Sequence, residues 1–204
     1  MENPSVGILT SIDWNSNGWK KFPTQEDIDT SNFKYVQDSK ITQTFLNFGH
    51  NDFPADDNGY FWGNFPQLWS KTPQVKNIEI ILIKAVNWKD KNNYIIGMYV
   101  FPIFKKDTNL PSGIPEMKTR EVNVGAFPKD IHLLENYVQL TSENKGKFLP
   151  KGKDLGMQGF NYLTKENVLR ILDEMTLLNP QDKKLSNIKL RLIQTLNKKV
   201  SFVR

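Results

Sequence analysis

Ile78-Glu-Ile-Ile-Leu-Ile-Lys-Ala-Val-Asn-Trp88 and Tyr94-Ile-Ile-Gly-Met-Tyr-Val-Phe-Pro-Ile-Phe104 are β-branched, aromatic-rich runs separated by the charged segment 89–93. Two such runs around a short polar turn predict an antiparallel hairpin. Upstream stands Thr44-Phe-Leu-Asn-Phe48, a further strand candidate, followed by the polar loop 54–58 and Gly59-Tyr-Phe-Trp-Gly-Asn-Phe-Pro-Gln-Leu-Trp69. The stretch 44–104 thus holds Trp62, Trp69 and Trp88, three of the five tryptophans. Aromatic side chains at strand ends either fill a core or box a flat ligand.

Towards the N-terminus, residues 6–12 and 33–36 are short strand candidates. Asn15-Ser-Asn-Gly18 is turn chemistry, flanked by Trp14 and Trp19, which can pack together across it. Thr24 with Gln-Glu-Asp behind it opens a short helix. Towards the C-terminus, residues 105–118 contain two prolines and Gly113 and read as a loop. Residues 120–124 alternate as a strand, and 131–140 read as a helical turn leading into a strand. Thr164 caps a helix over 165–178, with Leu163 placed to pack on Val168. Val168, Ile171, Leu172 and Met175 form its apolar stripe. Asn179-Pro180 stops it. Ser186 is placed to cap a last helix over 187–199. The expected fold is α+β: a curled sheet or small β-barrel of about six strands flanked by helices. Residues 1–180 make one domain, with 1–43 as its N-terminal extension. Residues 181–204 form a C-terminal helix that can lead to a further domain.

The chain has 204 residues, 24% of them charged, and no cysteine, which removes disulfides, thiol nucleophiles and thiolate metal sites. No run approaches the roughly 18 apolar residues of a membrane span, and no secretory signal pattern opens the chain, so the expectation is a cytoplasmic protein without a membrane partner. Charge is uneven. Residues 1–100 carry 9 Lys+Arg against 11 Asp+Glu, a balance of −2. The rest carries 18 against 11, a balance of +7, which together give the net +5. A basic half favours an anionic partner. A lysine-rich surface of purely compositional origin gives the same count.

Catalytic patterns are missing. There is no phosphate-binding glycine loop, no nucleophile elbow and no paired histidine motif around His50 or His132. Asp52, Asp56 and Asp57 cluster, as a metal-dependent hydrolase requires, but among Pro, Ala, Asn and Gly, as in a solvated turn. The reading is therefore a binder with no catalytic residues, no metal and no cofactor. Base recognition needs flat apolar faces, amides for the base edge and cations along the phosphates. Trp62, Trp69 and Trp88 supply faces, and Asn47, Asn51, Asn64 and Asn87 supply amides. Lys145, Lys147, Lys151 and Lys153 supply charge.

The hairpin with Gly97-Met-Tyr99 on its returning strand resembles the central hairpin of YTH and EVE domains, members of the PUA-like superfamily of small barrels. Gly59-Tyr-Phe-Trp-Gly63 is similar to the family's segment bearing its first cage tryptophan. Lys151-Gly-Lys-Asp-Leu-Gly-Met-Gln-Gly159 is similar to its basic loop before the last helix. The resemblance covers about residues 44–175. It implies Trp62 and Trp88 as cage walls, with Tyr60, Phe61 and Trp69 competing for the third. Such domains read N6-methyladenine in RNA or modified bases in DNA. They also open McrB-type subunits of modification-dependent restriction systems, where an AAA+ GTPase follows and a nuclease subunit associates.

The function expected from this reading is a modified-base reader that targets a restriction system. It flips a methylated base of DNA, N6-methyladenine or a methylated cytosine, into an aromatic cage. Trp62 and Trp88 sandwich the base from one barrel rim, Asn87 or Asn51 reads its edge, and His50 is a neighbouring contact. Lys145, Lys147, Lys151 and Lys153 hold phosphates. An RNA reader of the YTH kind, and a protein-interaction module with every aromatic in the core, are the competing readings.

Overall fold

A computed structural model describes residues 4–31, 34–39, 43–68, 77–114, 117–153 and 159–201. The fold is α+β, with eight strands in two open sheets among the described residues and no closed barrel. The expected hairpin is present: β3 (Ile80–Asn87) pairs antiparallel with β4 (Asn92–Val100). β1 (Ser5–Ile12) inserts beside β3 in parallel, with Ile8 opposite Ile81 and Ile12 opposite Ala85. β8 (Phe160–Thr164) covers the other side of β1, and β7 (Ile131–Leu140) the other side of β4. The five-stranded order is β7-β4-β3-β1-β8. β2 (Phe61–Gly63), β5 (Ile103–Ile114) and β6 (Met117–Ala126) form the second sheet in the order β2-β6-β5.

Strand alternation divides the core. Ile80 and Leu82 face the helical layer, where Val168, Ile171, Leu172 and Met175 of α4 (Lys165–Leu178) meet Leu185, Ile188, Leu192 and Leu196 of α5 (Lys183–Ser201). Ile81, Ile83 and Ala85 face the second core, with Phe48, Phe61, Phe65 and Tyr99. Thr164 caps α4 in a reciprocal box with Asn167. Thr24 does the same with Asp27 for α1 (Gln25–Thr30). No helix among the described residues is long and apolar enough to cross a membrane.

Five local expectations are corrected. Residues 105–114 belong to β5 and 117–118 to β6, with 115–116 outside the described residues; Pro111 lies on the sheet edge, where a missing N–H removes no ladder bond. Residues 44–46 form a 3₁₀ turn (Gln43–Leu46), held because Thr44 Oγ1 donates to Asp13 at 2.5 Å and Asn47 pairs with the backbone of Asn64. Residues 34–39 are the helix α2 (Lys34–Ser39), with Val36 buried; a short apolar run does not distinguish helix from strand. Residues 131–140 are strand throughout, entered from a 3₁₀ turn at Pro128–Asp130. α5 starts three residues before Ser186, and Asp182 Oδ1 accepts from Leu185 N at 2.9 Å in place of the expected cap.

Candidate functional site

The register places the expected site residues at two ends of the five-stranded sheet. Trp88 and Asn87 stand at the C-terminal end of β3, in or beside the tight turn to β4. β7 ends at the same edge, since Leu140 lies opposite Asn93. The segment 141–153, with Lys145, Lys147, Lys151 and Lys153 and the one-turn helix α3 (Lys145–Phe148), leaves from there. Trp62 lies elsewhere. It pairs with Gly125, which also pairs with Ile103, just after the last residue of β4. β4 runs against β3, so Trp62 is near the start of β3 and Trp88 is beyond its end. Eight residues at about 3.3 Å each put them on the order of 25 Å apart along the sheet. The two tryptophans therefore do not form one sandwich. Tyr60, Phe61, His50 and Asn51 share the Trp62 end. Trp69 lies outside the described residues.

At its own end Trp62 is 3% exposed. Its indole lies flat on Gly125, where a Cβ would stand 3.1 Å from the ring, and its Nε1 donates to Asp56 Oδ2 at 2.8 Å. Asp56 Oδ1 accepts from the backbone N–H groups of Asn58 and Tyr60, so this carboxylate organises its own turn. Phe61 is fully buried, with the Arg120 guanidinium 5.0 Å above its ring. Asn51 is exposed. His50 is half-buried, and Lys184 Nζ lies 3.4 Å from its Nε2 and donates to Pro128 O at 3.1 Å. His50 Nδ1 is buried with no partner among the described residues. Burial first, and then the Lys184 ammonium, lowers the imidazole pKa from 6.5 to about 4, so the ring is neutral. No group of three or more His, Asp or Glu side chains among the described residues is placed to hold a metal ion.

The Trp88 end carries an aromatic cluster beyond the expected site residues. Trp14, just past β1, meets Tyr94 at 6.1 Å and 53° and Tyr137 at 6.1 Å and 83°, and Tyr94 meets Tyr137 at 6.3 Å and 60°. All three rings are half-buried. Trp19 closes the cluster from beneath, edge-on to Trp14 at 5.6 Å and fully buried, as the spacing around the turn suggested. Trp19 sits at φ 54°, the left-handed region that a bulky aromatic avoids. The loop holds it there with several hydrogen bonds. Trp19 Nε1 donates to Asp13 O, Asn15 Nδ2 to Lys21 O, and Ser16 N and Oγ to the Asp27 carboxylate. Phe48 N donates to Trp19 O at 3.0 Å.

The β3–β4 turn docks beside this loop. Lys89 pairs with Glu26 of α1 at 2.8 Å, and α1 also supplies Asp27. Tyr94 OH donates to Asp90 at 2.7 Å. Asn87 Oδ1 accepts from Lys89 N, so this amide is engaged within the turn. Tyr137 OH has no protein hydrogen-bond partner among the described residues, which leaves it as the cluster's open polar group. On the opposite sheet face Lys84 is 2% exposed; burial lowers its pKa to about 8, and it donates to Asn93 Oδ1. In the basic segment Lys147 pairs with Glu174 at 2.6 Å, while Lys151 and Lys153 are exposed. The signal that could have identified the cluster was Trp14 with Trp19 around a turn directly after a strand. What hid it was distance in sequence, since Tyr94 and Tyr137 arrive from β4 and β7.

No protein-family model matches this chain, and no curated protein or solved structure matches it significantly.

Proposed function

We propose that this chain is a non-catalytic nucleic-acid reader that binds a flipped, methylated base at the aromatic rim formed by Trp14, Tyr94 and Tyr137. The observation that carries the reading is the fixed, strained loop that presents half-exposed Trp14 at the same end of the sheet as Lys145, Lys147, Lys151 and Lys153. Rings set at steep angles to one another enclose a methyl group, and the Tyr137 hydroxyl is available to a base edge. The lysines answer the phosphates on either side. In this reading the half-buried Trp88 flanks the rim, and Trp62 is a structural residue of the opposite end. The mixed sheet, with its parallel pair β1–β3 and the β3–β4 hairpin, is compatible with a PUA-like curled sheet. In that frame N6-methyladenine or a methylated cytosine in DNA is the ligand class, and a GTPase–nuclease complex is the partner.

The test is fluorescence anisotropy with oligonucleotides, DNA and RNA, that carry N6-methyladenine, 5-methylcytosine or no modification. Base–aromatic stacking is worth about 1–3 kcal/mol per base, so Trp14→Ala should lose most of the preference for the modified strand. A wild-type protein that binds modified and unmodified strands alike, or a Trp14→Ala protein that keeps the preference, refutes the assignment.

A further inference from the structure

We propose that the Tyr60–Phe127 stack, with Lys105 and Lys129, is a second binding site, a ledge for unmodified single-stranded nucleic acid at the sheet end opposite the rim. It rests on the reading of this chain as a nucleic-acid binder and adds a second contact that the rim does not require.

Phe127 follows β6 directly and is 37% exposed, one of the large apolar side chains the fold leaves open to solvent. It is not loose. Its ring stacks on Tyr60 at 4.5 Å and 24°. Gly59, at φ 82°, lets the preceding loop pass close beneath, where an added Cβ would stand 3.3 Å from Phe127 Cε1. Asp56 fixes Tyr60 through its backbone N–H at 2.9 Å, and Asp130 N donates to Phe127 O at 2.7 Å. Behind the ledge, Lys184 donates to Pro128 O and Arg191 pairs with buried Asp130. A flat apolar face is thus held rigidly at the surface.

Two cations flank it. Lys129 Nζ lies 5.5 Å from the Phe127 ring centroid, and Lys105 Nζ 4.8 Å from that of Trp62, whose ring is 6.3 Å from Tyr60. Neither ammonium forms an ion pair among the described residues. Asp56, on which the Lys105 charge acts, already accepts from Trp62, Tyr60 and Asn58. An exposed ring pair with cations at its margins is the chemistry that binds a base by its face and its neighbouring phosphates by charge, without sequence preference. The rim and the ledge lie on the order of 25 Å apart along the sheet. One strand of about 12 nucleotides, within the range of a single-strand site, reaches from a flipped base to the ledge.

The probe is an unmodified single-stranded DNA of about 12 nucleotides carrying one 5-iodouracil, used with the full chain. Photocrosslinks should map to Phe127 or Tyr60. Phe127→Ala should weaken binding about tenfold, with a melting temperature lowered by only a few degrees through loss of the stack on Tyr60. Lys105→Ala and Lys129→Ala should each lower the log–log salt slope by about 0.7. Trp14→Ala should leave the crosslink in place. Crosslinks at the ledge in a protein with no preference for modified bases would sink the rim and leave the ledge standing. Wild-type affinity and salt slope in all three ledge variants, with no crosslink at residues 60 or 127, would overturn the ledge, including the case where that surface binds a protein instead.

Discussion

His50→Gln should flatten the pH dependence of folding stability between about pH 6.5 and pH 4. In the folded chain the imidazole pKa falls from 6.5 to about 4, because the ring is buried and because the Lys184, Lys20 and His132 side chains disfavour a second positive charge; Asp52 opposes them more weakly. In the unfolded chain the ring titrates near 6.5, so in this window the unfolded chain binds a proton that the folded chain refuses. The stabilisation is complete above pH 6.5, falls as pH drops, and is gone near pH 4. A fully sequestered ring would lose about 3 kcal/mol across that window, at about 1.4 kcal/mol per pH unit. The ring is only half-buried, and solvent screening reduces the expectation to about 1–2 kcal/mol. The geometry agrees on the protonation state. Lys184 Nζ is a donor only, so His50 Nε2 accepts and the proton sits on Nδ1. Urea unfolding at pH 5 and pH 7.5 measures the effect, and an NMR titration of the His50 ring measures the pKa directly. His132, whose pKa burial also lowers against the opposing pull of Asp182, adds a residual slope of the same sign. Equal slopes in wild type and His50→Gln, or an NMR pKa of 6 or more, would refute the reasoning.

Further outcomes follow from the packing. Gly97→Ala places a Cβ 2.4 Å from His132 O and 2.8 Å from the Phe48 ring at the β4 irregularity. The β4–β7 pair must shift, and urea unfolding should show a loss of about 1–3 kcal/mol or more. Trp62→Ala should cost about 3–5 kcal/mol of stability and leave the preference of the surviving folded protein for modified bases unchanged, as anisotropy under folding conditions checks. Replacing Lys145, Lys147, Lys151 and Lys153 together by Gln should weaken modified and unmodified duplexes alike and lower the salt slope by about 0.9 for each phosphate that these lysines neutralise.

Local chemistry made part of this fold legible. Ile80–Asn87 and Asn92–Val100 declare a hairpin through β-branched runs and a charged turn, and Thr24 and Thr164 declare helix starts through cap geometry. What stayed hidden depends on pairings between distant segments. The parallel insertion of β1 between β3 and β8 leaves no periodicity signal of its own. Pro111 and Gly113 suggested a loop, yet an edge strand accepts both. The position of Trp62 was the costliest case. Its segment reads as a strand opening, but which end of the sheet it joins is set by β2 pairing with β6.

An aromatic residue is assigned to core or to site by what its polar and backbone groups are committed to, more than by its ring. Trp62 is fastened on every side: its indole N–H on Asp56, its carbonyl on Arg120, its face on Gly125 and its other side under Lys105. The indole N–H and the carbonyl of Trp62 are thus both committed within the protein. At the opposite end the fold holds Trp19 at a φ of 54°, a conformation that costs of order 1–3 kcal/mol, and surrounds it with a loop whose polar groups are committed to keeping that shape. The same loop carries Trp14, half-exposed, against Tyr94 and Tyr137. Stability given up to fix the position of a solvent-facing ring is the physical argument for the binding site proposed there.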